Sequence, residues 1–476
     1  MAISATNADT PTDPYAGPGA ATHPVPNPVP RRIALVSLPL SGHLTPMGVL
    51  ADALRARGHR VVVVGPPGLC ALAQSHMPGI ATHPISDGGY GPERLQGFLD
   101  FLPQVRGLSG IRRVINEIAD LSALYARQLP AALGALGADT LVHDQLEPAA
   151  GVVAKGLGLA HASLAAALPM NRDPHMPPPY LGWPYSTAPW WRSLYGGGYL
   201  VVDRLMAPQG EVLAEAARQW GLPARTRPSD WVSESCDLAQ LIPGFDYPRS
   251  RPGPDCVGPL RRKDSMKALE FERDGRDLVF CSLGTLMGGR RALFEAVARA
   301  CADHVVQLVV AHGGRLGAAD ARYLQSLPGQ PVVRDFVDQA AVLSEARACV
   351  LHGGLNTVLD AGAHGVPMVL LPLAFEQGAI AARAVRSGAA VRVARPNRMR
   401  RARDVERMRK AVGAALELAL NSAELRAGAA RLARASALAG GVAEAVRRIE
   451  ALPRHAESVR GAEIAAQLGP AFSPQP

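Results

Sequence analysis

The chain has 476 residues, 48% of them hydrophobic and 19% charged, and a formal net charge of +9. This composition is typical of a globular protein, and the length predicts two domains rather than one core. No apolar run is long enough to span a bilayer and no signal peptide opens the chain, so we expect a cytoplasmic protein. The charge is compatible with nucleic acid, but no nucleic-acid motif accompanies it, and we predict no such partner.

Composition along the chain predicts its division into parts. Residues 1–30 are rich in Pro, Ala and Thr and are expected to form a disordered tail. We predict a first domain over residues 31–245, a proline-rich linker over 246–276, a second domain over 277–452 and a C-terminal tail over 453–476. The six cysteines show no Cys-x-x-Cys spacing and are interpreted as core thiols rather than disulfides or zinc ligands.

The first domain opens with a βαβ pattern. Predicted strands over residues 33–38 and 60–64 flank a predicted helix over 47–57, and His43 lies in the turn before that helix. The turn lacks Gly-x-Gly-x-x-Gly, which disfavours a dinucleotide dehydrogenase. A histidine can take a proton near neutral pH, although a lone histidine in a loop is by default a surface or capping residue.

Two further features of the first domain are candidates for function. A short apolar strand over residues 140–144 ends in Asp144, and His143 faces the opposite side of that strand. Residues 177–199 contain seven aromatic side chains, in a chain that is otherwise poor in aromatics, at 5% overall. Such a loop could line an apolar ligand channel, although aromatics that anchor a long loop to the core are at least as common.

The second domain contains the most informative stretch, residues 336–377. A buried strand over 348–351 is followed by Gly353-Gly354 and a helical pattern over 356–364. Glycines let the backbone approach a ligand, and the free N–H groups and dipole of a helix start favour an anion, usually phosphate. Two glycines alone could equally form a simple turn.

Polar side chains around this turn favour the ligand interpretation. Asn356 and Thr357 lie at the helix start and Asp360 lies one turn later, an order that suits phosphates followed by ribose hydroxyls. Glu376 and Gln377 follow the next apolar strand, at the sheet edge where ligands of open parallel sheets bind. The stretch therefore predicts a site for a nucleoside diphosphate.

The order of these groups resembles the donor-sugar signature of the UDP-glycosyltransferases. The matching elements are Phe-x-x-Gln, His-Gly-Gly-x-Asn-Thr, an acid, Gly-Val-Pro and Glu-Gln. The resemblance implies the α/β fold called GT-B, in which two Rossmann-like domains with parallel sheets face each other. The residues that it places at a UDP-sugar are Gly42, Thr285, Phe336, Gln339, His352, Gly353, Gly354, Asn356, Thr357, Asp360, Glu376 and Gln377.

The resemblance also implies a role for each part of this set. Phe336 would stack on uracil with Gln339 near the nucleoside, and the diphosphate would be held at Thr285 and by His352, Asn356 and Thr357. Asp360 would accept the ribose hydroxyls, while Glu376 and Gln377 would hold the sugar. Three positions depart from the family's commonest residues and keep the chemistry with altered reach: Phe336 replaces Trp, Asp360 replaces Glu and Glu376 replaces Asp.

The same resemblance identifies catalytic candidates in the first domain. The family keeps its base at a Gly-His pair in the first turn and an acidic partner at the end of a later strand, which correspond to His43 and Asp144. The acid would fix the tautomer of the imidazole, as in a Ser-His-Asp triad. The chain contains no Asp-x-Asp, and because a helix dipole can offset the diphosphate charge, we predict no metal and no cofactor beyond the UDP-sugar co-substrate.

Acceptor-side segments within residues 140–215 resemble the subgroup that glucosylates hydroxylated carotenoids such as zeaxanthin. This implies a lipophilic hydroxylated acceptor and glucose as the sugar. Glycosylation of a macrolide, a sterol or another soluble natural product, a sugar-nucleotide epimerase, and a non-catalytic UDP-sugar-binding protein remain alternatives. The basic run over residues 392–410 is either a solvated face or a peripheral contact with an anionic membrane.

Overall fold

The computed structural model describes residues 29–105, 107–262, 268–394, 396, 399 and 401–454. Almost all of the two predicted tails, residues 1–30 and 453–476, lies outside the described residues. The same is true of residues 263–267 in the predicted linker and of three arginines in the basic run, which are Arg395, Arg398 and Arg400.

The described chain contains strands and helices in alternation. The strands are β1 Arg32–Val36, β2 Arg60–Gly65, β3 Ala81–Pro84, β4 Thr140–Asp144, β5 Ala160–Ala165, β6 Asp237–Ala239, β7 Asp255–Cys256, β8 Leu278–Ser282, β9 Gln307–Ala311, β10 Val332–Arg334, β11 Ala346–Leu351, β12 Met368–Leu370 and β13 Ala390–Arg392. The helices are α1 Ser41–Ala56, α2 Pro67–His76, α3 Pro92–Phe101, α4 Gly107–Leu136, α5 Pro148–Gly156, α6 Pro189–Leu205, α7 Ala207–Gln219, α8 Gly284–Met287, α9 Arg291–Asp303, α10 Ala318–Gln325, α11 Gln339–Glu345, α12 Leu355–Ala363, α13 Gln377–Arg386, α14 Ala402–Asn421, α15 Ala423–Leu438 and α16 Gly441–Glu450.

Two separate sheets confirm the predicted pair of Rossmann-like domains. The first has the strand order β3-β2-β1-β4-β5-β6-β7 and the second β10-β9-β8-β11-β12-β13, and the strand pairs in both are parallel. Apolar clusters cover both faces of each sheet. Continuous apolar runs such as Val61–Val64 follow from this, because both faces of the strand are buried.

The strand order reverses once in each sheet, and this places the site. In the first sheet β1 lies between β2 and β4, and in the second β8 lies between β9 and β11. Connections leave neighbouring strands in opposite directions at such a point and open a crevice at their carboxyl ends. His43 and Asp144 follow or end β1 and β4, while Thr285 and His352 follow β8 and β11.

Side chains of both domains pack together next to this crevice. Ile242 and Phe245, from the end of the first domain, share one apolar cluster with Leu355 and Leu359 of α12. A Cβ added at Gly362 would approach Ile242 Cδ1 to 3.1 Å. Because α12 lies directly against the first domain, groups at its start are held close to that domain.

The domain boundaries in the structure are less simple than the predicted ones. β7 adds a strand to the first sheet from within residues 246–276, the predicted linker. α16 belongs in sequence to the second domain, but Val446 and Ile449 pack in the cluster that contains Ile33 and Leu35 of β1. The chain therefore returns to the first domain, because the apolar side of α16 is buried there.

Two sequence-based expectations concern the whole chain. All six cysteines are free, and five are buried while Cys256 is partly exposed, as expected for core thiols. Among the helices that the structure describes, none combines the length and apolar character needed to cross a membrane.

Candidate active site

A cavity of about 910 Å³ lies between the two domains, at the carboxyl ends of both sheets. Its lining includes His43 from the first domain and most of the predicted donor residues from the second, from Thr285 to Gln377. The fold thus brings together groups that are separated by more than 300 positions in the sequence.

His43 lies in the first turn of α1, not in a loop before the helix. The helix begins at Ser41, six residues before the predicted start at residue 47. Pro46 lies inside it and has no N–H to donate to the carbonyl of Gly42 four residues earlier. That carbonyl instead accepts a hydrogen bond of 2.8 Å from Asn356 Nδ2. Pro46 therefore makes an interdomain contact possible at Gly42.

Asp144 holds the His43 ring in a defined orientation. The distance from His43 Nδ1 to Asp144 Oδ2 is 2.6 Å, and Asp144 is 1% exposed. The other carboxylate oxygen accepts the N–H of Leu146 at 2.9 Å. Because Nδ1 is engaged with the acid, Nε2 is the ring nitrogen available to take a proton in the cavity.

The charge of Asp144 also changes the acidity of His43. Burial alone would lower the pKa of His43, but the attraction and hydrogen bond of Asp144 outweigh burial and raise the pKa above its ordinary value. Glu376 adds to the same effect. His43 is therefore a stronger base than an isolated histidine would be at this buried position.

This shift predicts the pH dependence of any reaction that uses His43 as a base. The neutral imidazole is the active form, so kcat/KM should fall as pH drops through a raised pKa, with a midpoint above about 6.5. In Asp144→Asn the attraction is removed and the lowering by burial remains, so the midpoint should move to lower pH. Rate profiles of both proteins between about pH 5 and pH 9 measure this difference. Identical midpoints would mean that the titrating group is not His43.

His143 has the structural position predicted for it. It is fully buried, and its ring stacks on His161 with 5.8 Å between ring centroids. Burial lowers the pKa of His143 to about 3. It is therefore neutral under ordinary conditions and lies on the other side of β4 from Asp144.

Two glycines enclose the ring of His352. A Cβ added at Gly284 would lie 2.7 Å from His352 Cε1, and one added at Gly354 would lie 2.4 Å from His352 Nε2. Burial lowers the pKa of His352 to about 4, so the ring is neutral. Its Nδ1 has no hydrogen-bond partner within the described part of the chain. His352 is also among the residues that line the cavity, so its ring borders the space that a ligand would occupy.

The turn after β11 exposes the start of α12 to the cavity. Gly353 has a φ of +86°, which favours glycine, and an added Cβ would approach the carbonyl oxygen of Gln377 to 3.1 Å. Gly354 precedes the helix, and Thr357 Oγ1 donates to its carbonyl at 2.9 Å. The Thr357 hydroxyl hydrogen is therefore used locally, while N–H groups of the first turn remain for an anion.

Thr285 and Phe336 present open surfaces to the cavity. Thr285 is exposed in the short helix α8, directly after β8. Phe336 is 65% exposed and lies beside Gly314, whose added Cβ would be 3.7 Å from the ring. An exposed aromatic face at the cavity edge is suited to stacking on a base.

The Asp360 carboxylate is already bonded to protein groups, which the sequence does not reveal. It forms an ion pair with Arg261, and its other oxygen accepts a hydrogen bond of 2.5 Å from Gln339 Nε2. Asp360 is partly buried and lines the cavity together with Gln339 and Arg261. Any ribose contact must use the remaining lone pairs or replace one of these partners.

Arg261 and Gln240 are site residues that sequence analysis missed. Gln240 Nε2 donates to Asn356 Oδ1 at 2.9 Å, and Gln240 Oε1 accepts from Arg261 at 3.2 Å. Arg261 also donates to the backbone oxygen of Asn356 at 3.2 Å. The Asn356 side chain therefore connects the two domains and does not stand free for phosphate. The only signal in the sequence is a pair of arginines after the proline-rich stretch.

The predicted sugar contacts at residues 376 and 377 differ from each other in the structure. Glu376 lines the cavity, and burial raises the pKa of its carboxyl group. Gln377 Oε1 accepts the backbone N–H groups of Leu373 and Ala374 at 2.8 and 2.9 Å, so only its Nε2 remains for a ligand. The adjacent Phe375 has a φ of +51°, which is uncommon for a residue other than glycine.

The part of the cavity farther from the donor residues is apolar. Side chains of α3, α4, α6 and α7 line it, among them Phe98, Ile115, Val202 and Met206. Of the aromatic residues within 177–199, Tyr180 reaches this cavity. Trp190 and Trp191 are not among the lining residues. They stack on each other, with ring centroids 4.6 Å apart, and Trp190 is 62% exposed.

Much of the described basic run has acidic neighbours. On α14, Arg409 pairs with Asp303 and Glu406, and Arg407 lies 3.2 Å from Asp404. These pairs neutralise part of the local charge, which favours the solvated helix face over a strongly basic surface.

Comparison with known proteins identifies the family. Residues 247–415 match the family described as UDP-glucoronosyl and UDP-glucosyl transferase. The zeaxanthin glucosyltransferase of Pantoea ananas is 36% identical over 368 residues, covering 76% of this chain and 84% of that protein. The 4'-demethylrebeccamycin synthase of Lentzea aerocolonigenes is 29% identical over 438 residues, covering 88% and 99%.

A solved structure confirms the two-domain fold independently. The glycotransferase of kitacinnamycin superposes with a TM-score of 0.65 at 24% identity, covering 89% of this chain and 99% of that one. Together with the paired parallel sheets, this likeness identifies the fold as GT-B. The chain belongs to the UDP-glycosyltransferase family and is a glycosyltransferase.

Proposed function

We propose that the protein transfers glucose from UDP-glucose to a hydroxyl group of a lipophilic acceptor, and that the acceptor is a hydroxylated carotenoid such as zeaxanthin. The observation that carries the proposal is the His43–Asp144 pair, 2.6 Å apart. His43, which this pair orients, lines the same cavity as a glycine-bounded helix start suited to a diphosphate. The similarity to zeaxanthin glucosyltransferases supports the choice of acceptor.

His43 acts as the general base in the proposed reaction. Its Nε2 takes the proton of the acceptor hydroxyl as the oxygen forms a bond to the anomeric carbon and the bond from that carbon to the UDP oxygen breaks. Proton transfer of this kind contributes about 100- to 10,000-fold. Asp144 stabilises the imidazolium as it forms. Direct displacement inverts the anomeric centre, so an α-linked donor yields a β-glycoside.

The leaving diphosphate is stabilised by groups that are already oriented toward it. The N–H groups at the start of α12, the neutral His352 ring and Thr285 surround the position at which negative charge develops. Preorganised donors of this kind lower the barrier because they need no rearrangement during the reaction. We propose that no metal is required, and activity should persist when EDTA is added.

The apolar half of the cavity supports a lipophilic acceptor. A carotenoid end group would contact side chains such as Phe98 and Ile115, while its hydroxyl reaches His43. Transfer to a macrolide, a sterol or another soluble natural product is the second candidate, favoured by the similarity to 4'-demethylrebeccamycin synthase. We propose a cytoplasmic enzyme that meets its acceptor at a membrane surface.

The proposal is tested by UDP release with a panel of acceptors. The protein is incubated with UDP-glucose and either a dihydroxy carotenoid, a macrolide, a sterol or no acceptor. We expect release that depends on the acceptor and is fastest with the carotenoid. Fastest release with the macrolide would support the second candidate, and UDP binding without release under all conditions would indicate a non-catalytic binding protein.

A further inference from the structure

Helix α6 has apolar side chains both at the cavity and at the surface. Val202 and Leu205, together with Met206 directly after the helix, line the cavity. Four other apolar side chains of α6 face solvent: Trp190, Leu194, Leu200 and Val201 are 62%, 40%, 70% and 58% exposed. We call these four exposed side chains the α6 face. A helix that covers an internal cavity needs only one apolar side, so the α6 face requires a separate explanation.

The start of α4 carries further exposed apolar side chains. Leu108 is 69% exposed and Ile111 is 39% exposed, and Ile111 also borders the cavity. Exposed apolar residues scattered singly are normal on a protein surface. Here they belong to two helices that also contribute side chains to the lining of the same cavity.

The charges on α6 are positive. Arg192 and Arg204 are exposed, and neither has an ion-pair or hydrogen-bond partner among the residues that the structure describes. The single acidic residue of the helix, Asp203, pairs with Arg172. Exposed apolar side chains that include Trp, on a helix that also carries exposed, unpaired arginines, are typical of helices that lie in the headgroup region of a bilayer.

We propose that the α6 face docks onto the surface of an anionic lipid bilayer and places the apolar end of the cavity at the membrane. The inference rests on the proposed function, because a lipophilic acceptor dissolved in the bilayer would then enter the cavity without crossing water. Charge complementarity between Arg192, Arg204 and anionic headgroups favours this occupant. In a symmetric contact between two copies, the same positive face would meet itself.

The proposal moves the membrane contact away from the predicted basic run at residues 392–410. There, Arg407 and Arg409 have acidic partners. On α6 the unpaired arginines and the exposed apolar side chains belong to the same helix, so both contributions to membrane binding come from one element.

The proposal is tested by sedimentation with vesicles of phosphatidylglycerol and phosphatidylcholine at low salt. The wild-type protein should sediment with them and be released as salt is raised. Leu194→Glu/Val201→Glu should lower the bound fraction about tenfold or more, because two apolar contacts are replaced by charges that repel the lipid. Arg192→Gln/Arg204→Gln should weaken binding to these vesicles but not to neutral ones.

Leu418→Glu/Leu438→Glu provides the matched control. These leucines are 50% and 66% exposed on α14 and α15, so the control makes the same change in charge at sites of similar exposure. It should sediment like the wild type. The proposal is overturned if the wild type does not bind the vesicles, or if Leu194→Glu/Val201→Glu and the Leu418→Glu/Leu438→Glu control lose binding equally. It is also overturned if gel filtration shows that the α6 variant has lost a dimer.

Failure of this inference can be distinguished from failure of the proposed function. Vesicle binding is measured without turnover, and a small water-soluble alcohol serves as a second acceptor in solution. If the docking surface is wrong, transfer persists while binding is absent or unaffected by the α6 variants. If the proposed function is wrong, no alcohol is glycosylated, although binding that depends on the α6 face persists.

Discussion

Replacing His43 with Ala should lower the rate of sugar transfer by about 100- to 10,000-fold, the range that general bases contribute. UDP should still bind, because His43 belongs to the first domain while the proposed diphosphate site is built from the segments after β8 and β11. Single-turnover rates measure the first effect and calorimetric titration with UDP measures the second.

Two further variants test whether the loss of rate is specific to the His43–Asp144 pair. Asp144→Asn should be nearly as damaging, because the amide cannot stabilise the imidazolium through the 2.6 Å contact with His43. His76→Ala is the control. His76 lies on α2 and is not among the residues that line the cavity, so this variant should leave the rate unchanged. Turnover of His43→Ala close to that of His76→Ala would show that another group takes the proton.

Removing Asp360 or its partner should weaken donor binding and reduce discrimination between donors. Asp360→Ala removes the carboxylate proposed to accept the ribose hydroxyls, and a charge-assisted hydrogen bond contributes about 1.5–3 kcal/mol. We therefore expect kcat/KM for UDP-glucose to fall about 10- to 100-fold, mainly through KM. We expect the wild type to prefer UDP-glucose over TDP-glucose, which lacks one ribose hydroxyl, and this preference should be lost in the variant.

Arg261→Met should reproduce part of this effect, since Arg261 holds one oxygen of Asp360 and the backbone oxygen of Asn356. The neighbouring Arg262 pairs with Asp52 outside the cavity, and Arg262→Met is its control. The measurement is the ratio of kcat/KM for the two donors in each variant. If Arg261→Met and Arg262→Met have the same ratio as the wild type, Arg261 does not position Asp360 for the ribose.

The sequence predicts the parts of the site that are formed by a single continuous segment of the chain. The stretch after β11 is an example, because a buried strand, two glycines and a polar helix start are neighbours in the chain. The parallel arrangement of β1 and β4 then explains why His43 and Asp144 meet, since both lie at the carboxyl ends of adjacent strands. These features follow from local patterns and one topological rule.

Contacts between distant segments could not be predicted in the same way. Arg261 reaches Asp360 from a stretch that looks like a linker, and nothing in the spacing of the two residues indicates a contact. The return of α16 to the first domain likewise depends on which apolar surface remains open after both sheets have formed. Hydrophobic periodicity also could not predict which way the aromatic side chains of α6 point, because that helix has apolar side chains both at the cavity and at the surface.

The most direct test of the central claim is the mass of the product formed from UDP-glucose and a dihydroxy carotenoid by the wild-type protein and by His43→Ala. The account predicts carotenoid glucosides with the wild type and almost none with the variant at equal UDP occupancy. Wild-type protein that yields no carotenoid glucoside, or a variant that yields as much product as the wild type, would contradict it.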